Sequence, residues 1–275
     1  MGNIPKKAEE RIVAGLRRLQ PVIQSAKDRD IHEADTVTII KDMLQEIFGY
    51  DKYTEVSSEH LIRGTYCDLA VQVDGKVQLL IEVKAVGVDL KDAQVKQAID
   101  YAANKGVDWV ALTNGHSWQV YKMDFSQPID KELVLNLDIL QLSSRSDEHI
   151  EQLYLLTREG RSKSALDEYQ VQRQAMSRYS LAAIALSEPV LAMMRRELKR
   201  LSPSVRIEAS DISAVLANEV FKREVVEGEK AEAARKKVSR ALKKQERAKQ
   251  QEKGADASAA VAVAPTSQGA EIRKL

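Results

Sequence analysis

The sequence predicts an α/β or α+β domain that ends near residue 143 and is followed by a helical extension. The order of the helix and strand patterns in the first part is αββαββ, and from residue 147 to 227 the periodicity becomes helical throughout. No proline occurs between Pro21 and Pro128, which indicates one compact unit in that window. After Gly228 the chain is rich in Ala, Lys, Glu and Arg, and this composition marks a third segment.

Hydrophobic spacing and turn residues define the elements of the first domain. A helix is predicted from Asp30 to Phe48, because one stripe carries Val37, Ile40, Leu44 and Ile47. A second helix is predicted from Leu90 to Asn104, just before Gly106, a residue type that favours the C-terminal cap. The predicted strands are 68–73, 77–85, 107–113, 117–123 and 133–139.

The first two predicted strands form a hairpin around Asp74 and Gly75. A two-residue loop would mix apolar and charged residues on one face. A three-residue loop pairs Gln72 with Lys76, with Gly75 in a G1 bulge, and separates the two classes. We therefore predict the three-residue loop. The predicted apolar face carries Leu69, Val71, Val77, Leu79, Ile81 and Val83, and the other face carries Asp68, Leu80, Glu82 and Lys84.

The polar residues of this hairpin suit metal-assisted hydrolysis of a phosphodiester. Asp68 and Glu82, on adjacent strands, can hold a hard divalent cation such as Mg²⁺, which prefers oxygen ligands. The cation lowers the pKa of a bound water and stabilises charge on the phosphate. Lys84 can position that water or neutralise the charge that develops in the transition state. The alternative is an ordinary surface ion pair, worth about 0–1 kcal/mol.

The spacing of these residues resembles a known nuclease motif. Asp68, followed by Glu82-Val83-Lys84 after thirteen intervening residues, is similar to the PD-(D/E)xK motif, although Tyr66-Cys67 stands where its proline would be. Six segments, in order, resemble the N-terminal nuclease domain of the motor subunit of type I restriction enzymes over roughly residues 10–140: HEADT, IFGYDKYTEVSSE, YCDLAV, LLIEVKA, QAIDYA and ALTNGHSWQVY. The resemblance implies a restriction-endonuclease-like core, a central mixed β-sheet flanked by helices, with DNA as substrate and Mg²⁺ or Mn²⁺ as cofactor.

The resemblance gives three further residues a candidate role. The glutamate of HEADT, Glu33, matches the acidic residue of the first helix that completes the metal site in similar nucleases, beside Asp68 and Glu82. Its alternative role is in a capping box that begins at Asp30, with Glu33 at the third helical position. Gln97 and Tyr101 match a Q-x-x-x-Y element and, four residues apart, share a helix face near the catalytic residues.

The charge of the chain is unevenly placed. The net charge is +1, but residues 235–253 carry nine Lys or Arg against Glu246 and Glu252, a local net of +7. Such a run can bind a polyanion. The candidate nucleic-acid contacts are Lys236, Lys237, Arg240, Lys243 and Lys244. The alternatives are a solvated run that maintains solubility and a docking site for an acidic protein.

Several classes of function are disfavoured. One cysteine, Cys67, excludes an internal disulfide framework, and the four histidines make no zinc spacing. The sequence has no G-x-x-x-x-G-K-[ST] or G-x-G-x-x-G loop and no run of eighteen apolar residues. We expect a cytoplasmic protein with no membrane contact and no signal peptide, because the N-terminus is charged.

The sequence thus predicts three segments: a PD-(D/E)xK nuclease-like domain (1–143), an α-helical extension (144–228) and a basic tail that passes from helix to disorder (229–275). The predicted function is Mg²⁺-dependent cleavage of DNA by a stand-alone relative of the restriction domain, of restriction or defence type. The alternative is a non-catalytic nucleic-acid-binding or assembly module that keeps the fold. The helical C-terminal half is the candidate surface for self-association or for a protein partner.

Overall fold

The computed structural model describes residues 4–62, 65–126 and 128–261 of the 275. The chain divides into two compact units, one up to Val171 and one from Gln172. The strands are β1 Val56–Ile62, β2 Thr65–Val73, β3 Lys76–Val83, β4 Trp109–Thr113, β5 Ser117–Asp124 and β6 Asp130–Asp138. The α-helices of the first unit are α1 Lys6–Asp28, α2 Glu33–Glu46, α3 Lys96–Lys105, α4 Asp147–Tyr154, α5 Arg158–Ser162 and α6 Ala165–Ala175, of which the last crosses into the second unit.

The six strands form one mixed sheet in sequence order. Every neighbouring pair is antiparallel except β3 and β4, which are parallel. A parallel pair needs a crossover connection, and α3 lies in the chain between these two strands. The predicted fold class is therefore confirmed: a mixed central sheet flanked by helices, followed by a helical C-terminal half.

Each face of the sheet has its own apolar cluster. The larger cluster unites one face with α1, α2 and the chain from Ile139 to Leu166, and contains Leu69, Val71, Leu79, Ile81 and Val83 of the hairpin. The smaller cluster packs α3 on the opposite face and contains Ala70 and Leu80. This alternation is the period of two that places successive strand residues on opposite faces.

The hairpin corrects our predicted loop but keeps the predicted faces of its central residues. Asp74 and Gly75 have φ angles of 51° and 75°, as in a type I′ turn, and Val73 pairs with Lys76 across a two-residue loop. A bulge then shifts the register by one residue. The ladder passes from Gln72↔Val77 to Val71↔Leu79, so Gln78 has no partner on β2. Val77 accordingly packs in the smaller cluster, against our prediction.

Two predictions about helix and strand boundaries change. Helix α2 begins at Glu33 with His32 as its N-cap and no side-chain cap, so the capping box from Asp30 is wrong. Strand β1 was not predicted, because its sequence VSSEHLI has no regular apolar alternation. Helix α3 ends at Gly106 in the left-handed conformation, φ 66°, as predicted.

The first compact unit extends beyond the predicted boundary at residue 143. Leu153, Leu155 and Leu156 are part of the larger cluster, together with Leu166. Arg11 of α1 binds the Glu159 carboxylate with both terminal nitrogens, at 2.7 and 2.6 Å. The segment α4–α6 therefore covers one face of the sheet instead of beginning a separate extension.

The second unit is helical. Its elements are α7 Arg178–Ala185, α8 Glu188–Leu201, α9 Ala209–Val215, a π-helical turn Leu216–Val220, α10 Arg223–Val226 and α11 Glu229–Val261. Pro189 lies in the first turn of α8, a position where proline is tolerated. The tail predicted to pass from helix to disorder is helical up to Val261, and residues 262–275 lie outside the described part of the chain. Among the described helices, none combines the length and the hydrophobicity needed to cross a membrane.

Candidate functional site

The candidate site forms where β2 and β3 separate. The last paired residues are Leu69 and Ile81, and beyond them the Asp68 Oδ2 atom accepts a hydrogen bond of 2.7 Å from the backbone N–H of Val83. The carboxylate thus takes the place of a main-chain partner in the ladder. This bond fixes the side chain of Asp68 beside the last residues of β3.

Glu82 is the most deeply buried charged residue of this site, with 3% of its surface exposed. Burial raises the pKa of its carboxyl, and the negative charges of Asp68 and Glu33 raise it further, while Lys84 opposes the shift. The Glu82 Oε1 atom accepts a hydrogen bond of 2.7 Å from the Lys84 Nζ atom. Glu82 and Asp68 are therefore close enough to repel one another, as the predicted face assignment requires.

Lys84 connects the two sides of the site. Its ammonium lies 2.7 Å from Glu82 Oε1 and 3.8 Å from Glu33 Oε2, and its backbone N–H donates to the Thr113 carbonyl of β4. Burial opposes the charged ammonium, but the hydrogen bond and charge of Glu82, together with Glu33 and Asp68, outweigh burial and raise the pKa of Lys84. Lys84 is therefore protonated at neutral pH.

Glu33 reaches the site from the first turn of α2. Its side chain is 49% exposed, and its contact there is with the Lys84 ammonium. Within residues 4–62, 65–126 and 128–261, no three His, Cys, Asp or Glu side chains are gathered closely enough to hold a metal ion as they stand. The predicted set of Asp68, Glu82 and Glu33 is thus not assembled as a three-carboxylate cage.

The donor chemistry nevertheless fits a hard divalent cation. The Lys84 ammonium contacts the carboxylates of Glu82 and Glu33, the charge of Asp68 acts on both Glu82 and Lys84, and burial already disfavours the charge on Glu82. A cation with oxygen preference would relieve this excess of negative charge, and Mg²⁺ needs only one or two protein carboxylates because it keeps several waters.

The predicted Q-x-x-x-Y pair lies on α3, which packs on the same side of the sheet as Leu80 and Glu82. Tyr101 is 1% exposed and packs in the smaller cluster with Cys67 and Leu80. Burial raises the pKa of its hydroxyl, and Cys67 contributes to that shift. The backbone of Gln97 is helical, and its side chain lies outside the described part of the structure. The structure thus packs Tyr101, from α3, against the face of the sheet that carries Leu80.

Cys67 is an inert neighbour of the site. The thiol is buried, and its Sγ atom donates towards the carbonyl oxygens of Leu69 and Ile81 at 3.2 and 3.3 Å. Burial, followed by the charge of Glu82, raises the pKa of the thiol to about 12. A thiol with that pKa carries almost no thiolate at neutral pH and is not a nucleophile.

The turn between β4 and β5 braces the loop that follows Lys84. The Asn114 Oδ1 atom accepts from the Ser117 backbone, and its Nδ2 atom donates to the Val88 carbonyl at 2.9 Å. Asn114 Nδ2 also lies 3.2 Å from His116 Nε2, which must then accept. The sequence did not predict this contact of Asn114 with the segment after β3.

A comparison with protein-family models gives an independent assignment for this region. The model of the type I restriction enzyme R protein N terminus matches residues 40–134. This region resembles a restriction enzyme domain. The resemblance stated from sequence is thereby confirmed over residues 40–134, which include Asp68, Glu82, Lys84, Gln97 and Tyr101 but not Glu33. No curated protein and no solved structure matches the chain.

Proposed function

We propose that the chain is a metal-dependent DNA endonuclease of restriction type. The observation that carries the proposal is the convergence of Asp68, Glu82 and Lys84 where β2 and β3 separate, inside the region that resembles the restriction enzyme R protein. An ordinary surface ion pair would not bury Glu82 to 3% exposure next to a second carboxylate, because such burial costs stability.

Asp68 and Glu82 are the proposed ligands of Mg²⁺ or Mn²⁺, and Glu33 is the third candidate. When bound, the cation would supply charge stabilisation at the phosphate and a more acidic water. The residues of the chain prepare the site for that ion. The Val83 N–H orients Asp68, and the surrounding sheet holds Glu82 in a poorly solvated position.

Lys84 acts in this proposal as a fixed positive charge. Burial opposes the charge, but the hydrogen bond to Glu82 and the neighbouring carboxylates raise the pKa of Lys84 and favour its ammonium form. It can donate hydrogen bonds to a phosphate oxygen and stabilise the negative charge that develops during hydrolysis. The bond from its backbone N–H to Thr113 holds the residue at the end of the parallel strand pair.

Tyr101 and Gln97 are proposed to support the site from α3. With 1% of its surface exposed, Tyr101 acts through packing beside Cys67 and Leu80. Substitution of Gln97 is expected to change the rate of cleavage more than the stability of the fold, whereas truncation of Tyr101 also removes core packing and lowers stability.

Helix α11 carries the proposed nonspecific DNA contacts. Lys236, Lys237, Arg240, Lys243 and Lys244 are all exposed. At 3.6 residues per turn these five positions fall on one face, because they follow one another at intervals of one, three or four residues. Ala231 and Ala234 are buried on the opposite side of the helix. One face of α11 is thus packed, and the other is a cationic stripe suited to phosphates.

A cleavage assay on supercoiled plasmid tests the proposal. The wild-type chain should nick or linearise DNA with Mg²⁺ or Mn²⁺ and not with EDTA. Asp68→Asn should abolish cleavage while keeping the fold, because an amide oxygen can still accept from Val83 but carries no charge. Equal cleavage by wild type and Asp68→Asn would refute the site. Metal-independent DNA binding without any cleavage would favour the non-catalytic module.

A further inference from the structure

Arg161 of α5 is a buried arginine outside the region that resembles the restriction enzyme. It is 4% exposed, and its Nη2 atom donates to the Gln78 carbonyl at 3.1 Å and lies 3.4 Å from the Gln78 side-chain oxygen. Its guanidinium carbon lies 5.4 Å from the centre of the Trp109 ring. The Arg161 Nη1 atom lies 3.9 Å from Asp167 Oδ2, an ion pair at the edge of contact, and the Nε and Nη1 atoms have no hydrogen-bond partner among the described residues. An arginine buried at this cost needs a specific reason.

Gln78, its partner, is the residue that the bulge of β3 leaves unpaired. The ladder pairs Gln72 with Val77 and Val71 with Leu79, so Gln78 has no residue opposite it on β2. A bulged residue interrupts the ladder, and its main-chain groups then need other partners. The Arg161 guanidinium supplies the donor for this carbonyl.

The bulge decides which residues of β3 face Asp68. Without an extra residue, the pairing of Val73 with Lys76 would continue as Leu69 with Leu80, and Asp68 would lie opposite Ile81. With the bulge, Leu69 pairs with Ile81, and the next position sets Asp68 opposite Glu82. A slip of one residue moves every side chain to the other face of the sheet. Glu82 would then face the larger apolar cluster.

We propose that Arg161 is a positioning residue: by holding the bulged Gln78 carbonyl, it fixes the register that places Asp68 and Glu82 side by side. The proposal rests on the proposed metal site for its consequence in catalysis, but the register itself is a property of the fold. It also assigns a function to α5, which lies beyond residues 40–134.

Arg161→Met is the primary test, because methionine has a similar length, packs on Trp109 and cannot donate. Cross-strand nuclear Overhauser contacts between Leu69 and Ile81 report the register, and titration with Mn²⁺ alone reports the site. We expect Arg161→Met to weaken the Leu69–Ile81 signal or to split it between two registers. The Mn²⁺ affinity should fall about tenfold, which is the lower end of the loss caused by removing residues that support metal ligands. Arg161→Lys, which keeps one charged donor, should recover most of both.

Arg158→Met is the matched control. Arg158 lies on the same helix and also binds a residue close to the sheet, since its Nε atom is 2.6 Å from Glu55 Oε1. It makes that bond outside the β2–β3 ladder. We expect its substitution to leave the Leu69–Ile81 contact and the Mn²⁺ affinity unchanged.

Deletion of Gln78 separates register control from general stabilisation. The deletion makes the pairs Gln72–Val77 and Val71–Leu79 consecutive, so the hairpin keeps its downstream register without a bulge. We expect this variant to keep Mn²⁺ affinity within about twofold, and Arg161→Met to have no further effect in that background, as coupled residues behave in a double-mutant cycle.

The outcomes distinguish this proposal from the proposed function. Unchanged Leu69–Ile81 contacts in Arg161→Met would overturn the register role, as would equal losses of Mn²⁺ affinity with and without Gln78. A wild-type chain that binds no Mn²⁺ would contradict the metal site and leave the register measurement as the deciding readout. If the deletion variant does not fold, the comparison of Met and Lys at position 161 decides: equal register in both overturns the proposal.

Discussion

At the scale of single residues, Glu82 opposes the stability of the fold that contains it. Burial and the neighbouring Asp68 and Glu33 charges raise the pKa of its carboxyl. A carboxyl whose pKa is raised in the folded state binds protons more tightly there, so its ionised form destabilises the fold at neutral pH. Residues that lower stability in this way are characteristic of functional sites.

Glu82→Gln should therefore abolish cleavage and raise the melting temperature in EDTA. The amide keeps an acceptor for Lys84 and removes the charge that Asp68 repels. The gain should be largest near pH 8 and should shrink as the pH falls through the pKa of Glu82, since the wild-type carboxyl is then protonated as well. Thermal unfolding at several pH values measures this difference.

The matched control is Glu10→Gln, in an exposed pair with Lys6 on α1. It should change neither cleavage nor the pH dependence. Wild-type cleavage by Glu82→Gln would exclude Glu82 as a ligand.

His116 gives the fold an opposite dependence on pH. Burial, followed by the charge of Lys27, lowers the pKa of its imidazole, and Asp138 only partly compensates. A histidine with a lowered pKa is protonated more readily in the unfolded chain, so stability is complete above the unfolded pKa of about 6.5 and is lost as the pH falls below it.

His116→Gln should flatten this loss of stability. A glutamine oxygen can accept from Asn114, as the Nε2 atom does, but the amide does not titrate. Urea unfolding at pH 7.5 and 5.5 should show a smaller difference for the variant than for the wild type. The same difference in both would assign the pH dependence to other groups. The same substitution at the half-buried His149 of α4, His149→Gln, is the control.

At the scale of elements, α11 has one packed face and one cationic face. The helix packs against α7 and α10 and buries Ala231 and Ala234, while its exposed cations form the stripe. Removal of the whole helix would uncover α7, so substitutions on the stripe are the sharper test.

Glutamine at Lys236, Lys237, Arg240, Lys243 and Lys244 should weaken duplex binding without changing the fold, because glutamine forms helices nearly as well as lysine. Each lost phosphate contact should reduce the slope of log affinity against log salt by about 0.9. Binding measured at several salt concentrations tests this expectation. Glutamine at Lys199 and Arg200 of α8, both exposed, is the control. An unchanged slope in the α11 variant would favour a protein partner for the stripe.

The β2–β3 hairpin shows how far the sequence could predict these elements. Alternation fixed the faces of Leu69, Val71, Leu79 and Ile81, because burying them on one side is worth more than any detail of the loop. The position of the extra residue was not predictable from alternation. Bulges at Gly75 and at Gln78 give Asp68 the same face, but the predicted loop would pair Leu69 with Leu79, whereas the observed bulge pairs Leu69 with Ile81 and moves Val77 to the smaller cluster. The carbonyl of the bulged Gln78 accepts from a distant donor, Arg161.

Strand β1 and the buried Tyr101 mark the same limit. The residues VSSEHLI become a strand because β2 offers an edge, and this partner is not visible in the local pattern. The Q-x-x-x-Y spacing predicted the side of the sheet on which Tyr101 lies, but it did not predict its burial. Helix α3 packs close enough to the sheet to bury Tyr101 beside Cys67. The shared face of Asp68, Glu82 and Lys84 could be predicted because it follows from strand alternation, whereas the placement of Asp68 beside Glu82 depends on the bulge at Gln78.

At the scale of the whole molecule, the part that resembles the restriction enzyme is smaller than the unit that folds. Residues 40–134 lack α1, which contributes Ile12, Leu16 and Ile23 to the larger cluster, and lack the chain beyond residue 134. The backbone N–H of Arg158 donates to the Phe48 carbonyl, and the Tyr50 hydroxyl donates to the Leu156 carbonyl. The core of the first unit therefore depends on contacts across more than a hundred residues.

A chain that ends at Val171 should consequently fold, whereas one that ends at residue 143 should not. The shorter chain loses Leu153, Leu155 and Leu156, together with Leu166, and exposes the side of the sheet that they cover. Full burial of one such leucine is worth about 1.5–3 kcal/mol, so the loss of four is comparable to the whole stability of a typical domain.

Urea denaturation followed by tryptophan fluorescence distinguishes the two truncations, because Trp109 and Trp118 both lie in the larger cluster. We expect one cooperative transition for residues 1–171 and none for residues 1–143. Ser143, just before α4, would mark the true boundary if the shorter chain unfolded cooperatively and bound Mn²⁺ like the longer one. The coupling of α5 to β3 through Arg161 and Gln78 predicts the opposite, since the shorter chain has no donor for the bulge.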